Sequence, residues 1–316
     1  MAYPFTNLVF EGGGVKGVAY VGSLAVLEKR GILEQTARIG GTSAGAITAA
    51  LVALNYSADE TRELMLNLDF KQFKDGSFFG DIERFFKKYG WYKGDAFLKW
   101  IEQRVKEKTG SPDTTFNELM QMKGFKQLYV VGTNLSTRDY QVFSHESTGD
   151  VRIADAVRIS MSIPLFFASR QFRGDVFVDG GVLNNYPITL FDNEKYVSDA
   201  ANIIDGCVNL ETLGFHLGKH ITERHEINDL DDYAGNLFET ILDVQDNALW
   251  NSPNDLRRTV CIDNLGIQTT DFNITTEQKL ALIKQGHEAT ANYLRAFEAG
   301  LPSDVCDNMP RDRRSG

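Results

Sequence analysis

The segment Gly41-Thr42-Ser43-Ala44-Gly45 constrains this chain more than any other. It follows a short apolar stretch and leads into Ala46-Ile47-Thr48-Ala49-Ala50-Leu51, so it reads as a strand that turns at once into a helix. A serine at the apex of such a turn leaves no room for side chains two residues to either side, and glycine stands at both places. The turn pushes the hydroxyl into the open. It also aims the first amides of the helix at the same spot, and these carry the positive end of the helix dipole. That arrangement suits a nucleophile beside a developing oxyanion. The motif is short and built of common residues, so its meaning depends on the rest of the chain.

Upstream, residues 5–10 read as a short buried strand, followed directly by Glu11-Gly12-Gly13-Gly14-Val15-Lys16-Gly17. A helix to about residue 30 comes next, with Val18, Val21, Leu24, Ala25 and Leu27 at helical spacing and Gly31 as a left-handed stop. Gly12, Gly14 and Gly17 match the dinucleotide fingerprint G-x-G-x-x-G, but that motif needs an acidic residue closing the second strand. Here the second strand runs into Gly41-Thr42-Ser43 instead. A phosphate-binding P-loop needs Ser or Thr after the lysine, and Lys16 is followed by Gly17. An oxyanion cradle remains, in which three bare glycines let the main chain approach a substrate carbonyl. A purely structural tight turn fits the same residues.

Further along, Ser57-Ala58-Asp59-Glu60 forms a capping-box pattern ahead of a helix. Residues 70–93 interleave nine aromatics with Lys71, Lys74, Arg84, Lys87, Lys88 and Lys93. Two readings fit: an interfacial lid whose aromatics enter lipid, or an amphipathic excursion packed on the main body. Residues 95–108 predict an amphipathic helix, 127–133 and 140–144 strands, 153–160 a short helix, and 172–178 a strand delivering Asp179-Gly180-Gly181. Beyond these, a strand at 207–210, a helix at 233–249, a strand at 258–262 and a helix from 276 to about 299 are expected. Strands alternating with helices predict an α/β layered fold around a mainly parallel sheet. One domain is expected over 1–300, with 57–125 as a helical excursion and 301–316 as a polar tail.

A net charge of -10 argues against a duplex nucleic-acid partner, which wants a basic face. Three cysteines, Cys207, Cys261 and Cys306, are too few for a disulfide framework and read as inert thiols. No charged leader with an apolar core opens the chain and no long apolar run occurs, which gives the expectation of a cytoplasmic protein, in places peripheral to a membrane.

A serine nucleophile needs a base. His145, His216, His220, His225 and His287 sit in no recognisable catalytic or metal-binding frame and read as surface or hydrogen-bonded residues. Asp179 is the better candidate, because it closes a strand and the glycines after it let its carboxylate reach a neighbouring strand end. Elbow, glycine loop and Asp-Gly-Gly occur together and in order, and the sequence resembles the patatin-like phospholipases. Gly12-Gly13-Gly14-Val15-Lys16-Gly17 is similar to that family's oxyanion loop, Gly41-Thr42-Ser43-Ala44-Gly45 to its nucleophile elbow, and Asp179-Gly180-Gly181 to its aspartate motif. The blocks Ile159-Ser160-Met161-Ser162-Ile163-Pro164 and Val182-Leu183-Asn184-Asn185-Tyr186-Pro187 are similar too. The resemblance covers residues 8–187.

It implies a three-layer α/β/α fold and a Ser43–Asp179 dyad that hydrolyses fatty-acyl esters of phospholipids through an acyl-enzyme. Gly12, Gly13 and Gly14 would hold the oxyanion, with Lys16, Gly17, Gly41, Gly45, Gly180 and Gly181 shaping the loops. It implies no metal and no organic cofactor, a lipid substrate met at a membrane surface, and room for an activator or self-association. Two rivals stay open. One is an α/β-hydrolase whose triad draws a histidine from 216, 220, 225 or 287; the other is a binding module that holds a nucleotide or lipid headgroup without turnover.

Overall fold

The computed structural model describes residues 3–75, 89–218 and 226–300. Its centre is an eight-stranded sheet. Strands β1 (Asn7–Phe10) and β2 (Arg38–Thr42) pair in parallel, and β2 pairs in parallel with the first part of β3 (Gln127–Asn134). β3 also pairs antiparallel with β4 (Asp139–Phe143). Its last residues pair antiparallel with β6 (Asp175–Asp179), which in turn holds β5 (Arg170–Phe172). On the far side of β1 lie β7 (Thr212–Leu217) and β8 (Thr259–Ile262), both parallel to their neighbours. The order is β8-β7-β1-β2-β3-β6-β5, mostly parallel in the middle, as the alternation of elements predicts.

Two strand expectations are corrected. The stretch 172–178 is the hairpin β5–β6, not one strand, because Arg173 and Gly174 take positive φ angles of 51° and 91° and reverse the chain in a two-residue turn. The strand expected at 207–210 is only the two-residue Val208–Asn209, while the strand beside β1 is β7, Thr212–Leu217. All six β7 residues are buried, so it lacks the alternation that marks a half-exposed strand, and Gly214 and His216 interrupt the apolar run that would mark a buried one.

Among the described residues, the α-helices of eight or more residues are α1 (Tyr20–Lys29), α2 (Ala44–Ala53), α3 (Ala58–Asn67), α4 (Asp95–Thr109), α5 (Ile153–Ser160), α6 (Leu230–Trp250) and α7 (Thr276–Glu298). A 3-10 turn, Gly14–Ala19, precedes α1, so the helix begins later than its apolar spacing suggests. Alanine-rich α2 is buried along its whole length and packs against the central strands. α3 opens on the expected capping box, with Ser57 Oγ accepting from the Glu60 amide at 3.1 Å and the Glu60 carboxylate accepting from the Ser57 amide at 2.8 Å.

Of the aromatic stretch 70–93, both described ends belong to the main body. Phe70 and Phe73 are buried, and Phe73 meets Phe97 of α4 edge-on at 5.2 Å. Gly90–Tyr92 pairs in parallel with Leu165–Phe167. The middle of the stretch, residues 76–88, lies outside the described residues, as does the tail 301–316. Among the described residues no helix is long and apolar enough to cross a membrane. Cys261 is disulfide-bonded, against the expectation of three inert thiols, whereas Cys207 is free and exposed.

Helices α1 and α7 touch through glycine. A Cβ at Gly286 would stand 1.9 Å from the Ala19 carbonyl oxygen, and one at Gly22 would stand 1.9 Å from the Ile283 carbonyl oxygen. Alanine in a solvent-facing helix gains about 1 kcal/mol over glycine, but here main chain blocks the added atom. Gly286→Ala is therefore expected to lose about 1–3 kcal/mol of stability, the range for overpacked cores, as read by urea denaturation. A gain would contradict the close packing of these helices.

Candidate active site

The sheet brings the three motifs to one end. In the β1–β2 ladder Phe10 lies opposite Gly41, so the glycine loop and the serine turn leave the sheet side by side at the carboxyl ends of their strands. This is where open parallel sheets bind ligands. Asp179 arrives from the antiparallel strand β6, opposite Gly132 of β3.

Ser43 has φ 52° and ψ -123°, a backbone conformation that a residue with a side chain adopts only under constraint. The glycines around it are needed for space. A Cβ at Gly41 would stand 2.4 Å from the Gly45 carbonyl oxygen, and a Cβ at Gly45 would stand 2.2 Å from the Phe10 carbonyl oxygen. The Ser43 amide donates to Ser160 Oγ at 2.8 Å, and Ser160 Oγ donates to the Val131 carbonyl at 2.6 Å. The Asp179 amide donates to the Ser162 carbonyl at 2.8 Å. One short block at the end of α5 thus fixes the main chain of both candidate residues. The sequence carried this block as a resemblance; the supporting role of Ser160 and Ser162 emerges only from their contacts.

Both side chains are almost fully buried. Asp179 Oδ1 accepts from the Gly181 amide at 2.7 Å, while Oδ2 is buried with no hydrogen-bond partner among the described residues. The Ser43 hydroxyl points to Met161 Sδ at 3.6 Å. Burial pushes the Asp179 carboxyl up to about 7; the Gly181 amide and the nearby Ser43 hydroxyl pull the other way without cancelling it.

The glycine loop is narrower as a cradle than its sequence suggests. The Gly12 amide donates to the Asn185 carbonyl at 3.0 Å, so it is not free for an oxyanion. The amides of Gly13 and Gly14 have no such partner among the described residues, being at the start of a 3-10 turn where no earlier carbonyl reaches them. A Cβ at Gly12 would stand 3.1 Å from Ser43 Cβ, which places the loop against the serine. Asn185, to which the sequence assigned no role, ties the parts together. Its Nδ2 donates to Glu11 Oε1 at 3.0 Å and to the Gly12 carbonyl at 3.3 Å, and its amide donates to Gln245 Oε1 of α6 at 2.8 Å.

Lys16 is buried and turns from the loop to Glu239 at 3.3 Å. Burial alone would lower its pKa, but Glu239, Glu11 and Asp246 outweigh that and raise it. It is a braced structural cation, not a free headgroup ligand. Gly17 lets the turn lie on α2, since a Cβ there would meet Ala44 Cβ at 2.8 Å. Gly180 and Gly181 are buried in the turn after Asp179.

Of the two readings for the histidines, surface or hydrogen-bonded, His216 is not the surface one: it is wholly buried on β7. Its Nδ1 lies 2.7 Å from Glu11 Oε2 and its Nε2 lies 3.9 Å from Asp246 Oδ2. Its ring is flanked by Tyr186 and Trp250, and the carboxylates it meets are Glu11 and Asp246. His287 is exposed on α7, and His220 and His225 lie outside the described residues. An apolar pocket is lined by Ile47, Phe70, Phe97, Met161, Ile163 and Phe272 among others, and it reaches the serine through Met161, whose Sδ the Ser43 hydroxyl meets. Arg158 closes one wall, but its guanidinium is spent on the Gly94, Lys93 and Ala168 carbonyls and Ser162 Oγ.

The raised Asp179 carboxyl has a consequence for stability. With its folded pKa near 7 against an ordinary 3.8, the fold carries no cost from it below about pH 4, when it is protonated in both states. The cost grows as pH rises and is complete above about 7, reaching about 4 kcal/mol at ~1.36 kcal/mol per unit. Asp179→Asn is therefore expected to be more stable than wild type at pH 8 and equal to it at pH 4, by chemical denaturation at both. A difference independent of pH would rule out a buried, ionisable Asp179.

The family model for patatin-like phospholipases matches residues 8–192. YqhO of Bacillus subtilis (strain 168) is 31% identical over 307 residues, covering 92% of this chain and 98% of that protein. The probable lipid hydrolase 463L of Invertebrate iridescent virus 6 is 27% identical over 196 residues, 60% of this chain and 66% of that protein. VipD from Legionella pneumophila matches in structure with a TM-score of 0.62 and 19% identity, over 93% of this chain and 67% of that one, which is a likeness of fold. The matched segment contains the glycine loop, the serine turn and the aspartate that the sheet gathers at one end, and the chain belongs to the patatin-like phospholipase family.

Proposed function

We propose that this protein is a lipid acyl hydrolase working through Ser43 and Asp179. The observation that carries the reading is a buried carboxyl, raised to about 7 and with one oxygen unpartnered, beside a serine held in a strained turn. An aspartate at its ordinary pKa is a poor base for a serine hydroxyl. Raised toward neutrality, it accepts the proton more readily while still being ionised at working pH.

In the proposed cycle the Ser43 side chain rotates from Met161 toward Asp179 Oδ2 and attacks the ester carbonyl as Asp179 takes its proton. The carbonyl oxygen becomes an oxyanion held by the free amides of Gly13 and Gly14, with the first amide of α2 beside them. Each such donor is worth ~2.7–4 kcal/mol in comparable enzymes. The alcohol leaves with the proton from Asp179. Water then attacks the acyl carbonyl as Asp179 takes its proton, and Asp179 returns that proton to the Ser43 oxygen as the Ser43–acyl bond breaks and the fatty acid departs. The apolar pocket that Met161 joins to Ser43 supports an acyl chain as the bound group. The relative 463L, described as a probable lipid hydrolase, favours the same substrate class. A triad through His216 is disfavoured, because that ring is engaged with Glu11 and Asp246. The pairing of Lys16 with Glu239 likewise leaves that cation unavailable to a nucleotide or headgroup held without turnover.

Fatty-acid release from phospholipid vesicles tests the reading. Ser43→Ala and Asp179→Asn are each expected to lower kcat at least ~10³-fold, as for units that act together. A fluorophosphonate should label wild type and not Ser43→Ala. The wild-type rate should rise with pH through about 7, as Asp179 ionises. Full activity in Asp179→Asn would end the dyad reading, and unlabelled wild type would favour a binding module.

A further inference from the structure

The outer face of α6 carries a second apolar stripe. Leu230, Tyr233, Leu237 and Val244 are 39%, 50%, 43% and 66% exposed, and half-buried Ile241 fills the gap between the last two. Steps of three and four residues put all five within an arc of about 80°, at ~100° per residue. We propose that this stripe is the surface by which the protein docks on a zwitterionic phospholipid membrane. The inference deepens the lipid-hydrolase reading and rests on it for the direction from which substrate arrives.

A helix packed on a protein body needs one apolar face, and α6 already has it. Ala234, Phe238, Leu242 and Leu249 are buried. Other positions brace the site: Glu239 holds Lys16 of the glycine loop, and Gln245 accepts from the Asn185 amide and donates to the Gly181 carbonyl at 2.7 Å. The stripe takes no part in any of this. Apolar side chains exposed singly are ordinary on a protein surface. A row of them along one edge of a helix marks a surface that meets another apolar phase.

Place and charge say what the stripe meets. Gln245, one turn after Ile241, is bound to the turn that follows Asp179, and Leu183 in that turn is 45% exposed. The stripe thus flanks the turn carrying the aspartate, where the ester of a lipid has to arrive. α6 contains no lysine or arginine, and the uncharged Asn236, Thr240 and Asn247 border the stripe on one side. Helices that seek anionic lipid carry Lys and Arg on their polar face. Here the charged side chains of the helix are all acidic, and the whole chain carries -10. An anionic membrane would repel this face, while a zwitterionic one takes up the apolar side chains without that repulsion.

The test uses the full chain bearing Ser43→Ala, so that lipid is not consumed, sedimented with vesicles of phosphatidylcholine alone or mixed with phosphatidylserine. Binding to phosphatidylcholine at least as tight as to the anionic mixture is expected. Leu237→Gln together with Val244→Gln, both at exposed positions, should weaken it at least ~10-fold, the factor for withdrawing an apolar side chain from lipid. In a chain that keeps Ser43, the same pair should slow fatty-acid release from vesicles by a similar factor and change hydrolysis of a soluble short-chain ester by less than about twofold. Vesicle binding unaltered by the pair, a preference for the anionic mixture, or equal losses on both substrates would overturn the surface. So would a pair that converts a dimer to a monomer and still binds vesicles, which assigns the stripe to a second copy of the chain. Soluble-ester turnover without vesicle binding sinks the surface and spares the Ser43 reading. Vesicle binding that the pair weakens, in a chain that hydrolyses nothing, does the reverse.

Discussion

The parallel pairing of β1 with β2 governs the rest of the molecule. It sets Phe10 opposite Gly41, so that two chain reversals leave the sheet at one level and must share the same space. Main chain passes main chain there with no room for a Cβ: the Phe10 carbonyl would be 2.2 Å from one at Gly45. The serine between them is held at φ 52°, a conformation costing about 1–3 kcal/mol. That strain persists because its surroundings over-determine it. α2 is buried along its length behind the turn, and Ser160 binds the Ser43 amide from in front. The same block binds the Asp179 amide through Ser162, so one piece of chain sets serine and aspartate relative to each other.

A second theme is how differently the buried acids are treated. Asp192 is paired with Arg258, whose Nη2 lies 2.7 Å from its Oδ2, and Glu239 is paired with Lys16. Among the described residues Asp179 has no cation and a single backbone donor. A carboxyl placed only for stability would have a partner, because an isolated buried charge is expensive. Leaving it unpaired raises its proton affinity, and a base beside a serine needs that property. The cost to the fold and the chemistry of the site therefore have one origin.

Much was legible from the chain because certain local patterns have few physical solutions. The capping box at Ser57, the amphipathic stripe of α4 and the bare glycines flanking Ser43 each carry their geometry in neighbouring residues. What failed was non-local. β7 has no period to read, because it is buried on both faces and carries a glycine and a histidine. The β5–β6 hairpin was read as one strand because Arg173 is an unusual residue for a left-handed turn. Gly12 has the sequence of an oxyanion donor, but the carbonyl of Asn185, far along the chain, occupies its amide.

The sequence by itself determined the elements and the three motifs, since strand–turn–helix geometry and the need for glycine follow from sterics within a few residues. Only the tertiary structure decided which amides among the described residues are free, that His216 is buried against Glu11, and that Asp179 meets no cation among them. Those outcomes depend on desolvation and on partners supplied by β7, α6 and the Asn185 turn. Neither quantity is a property of a residue's neighbours in the chain, so no local pattern could carry it.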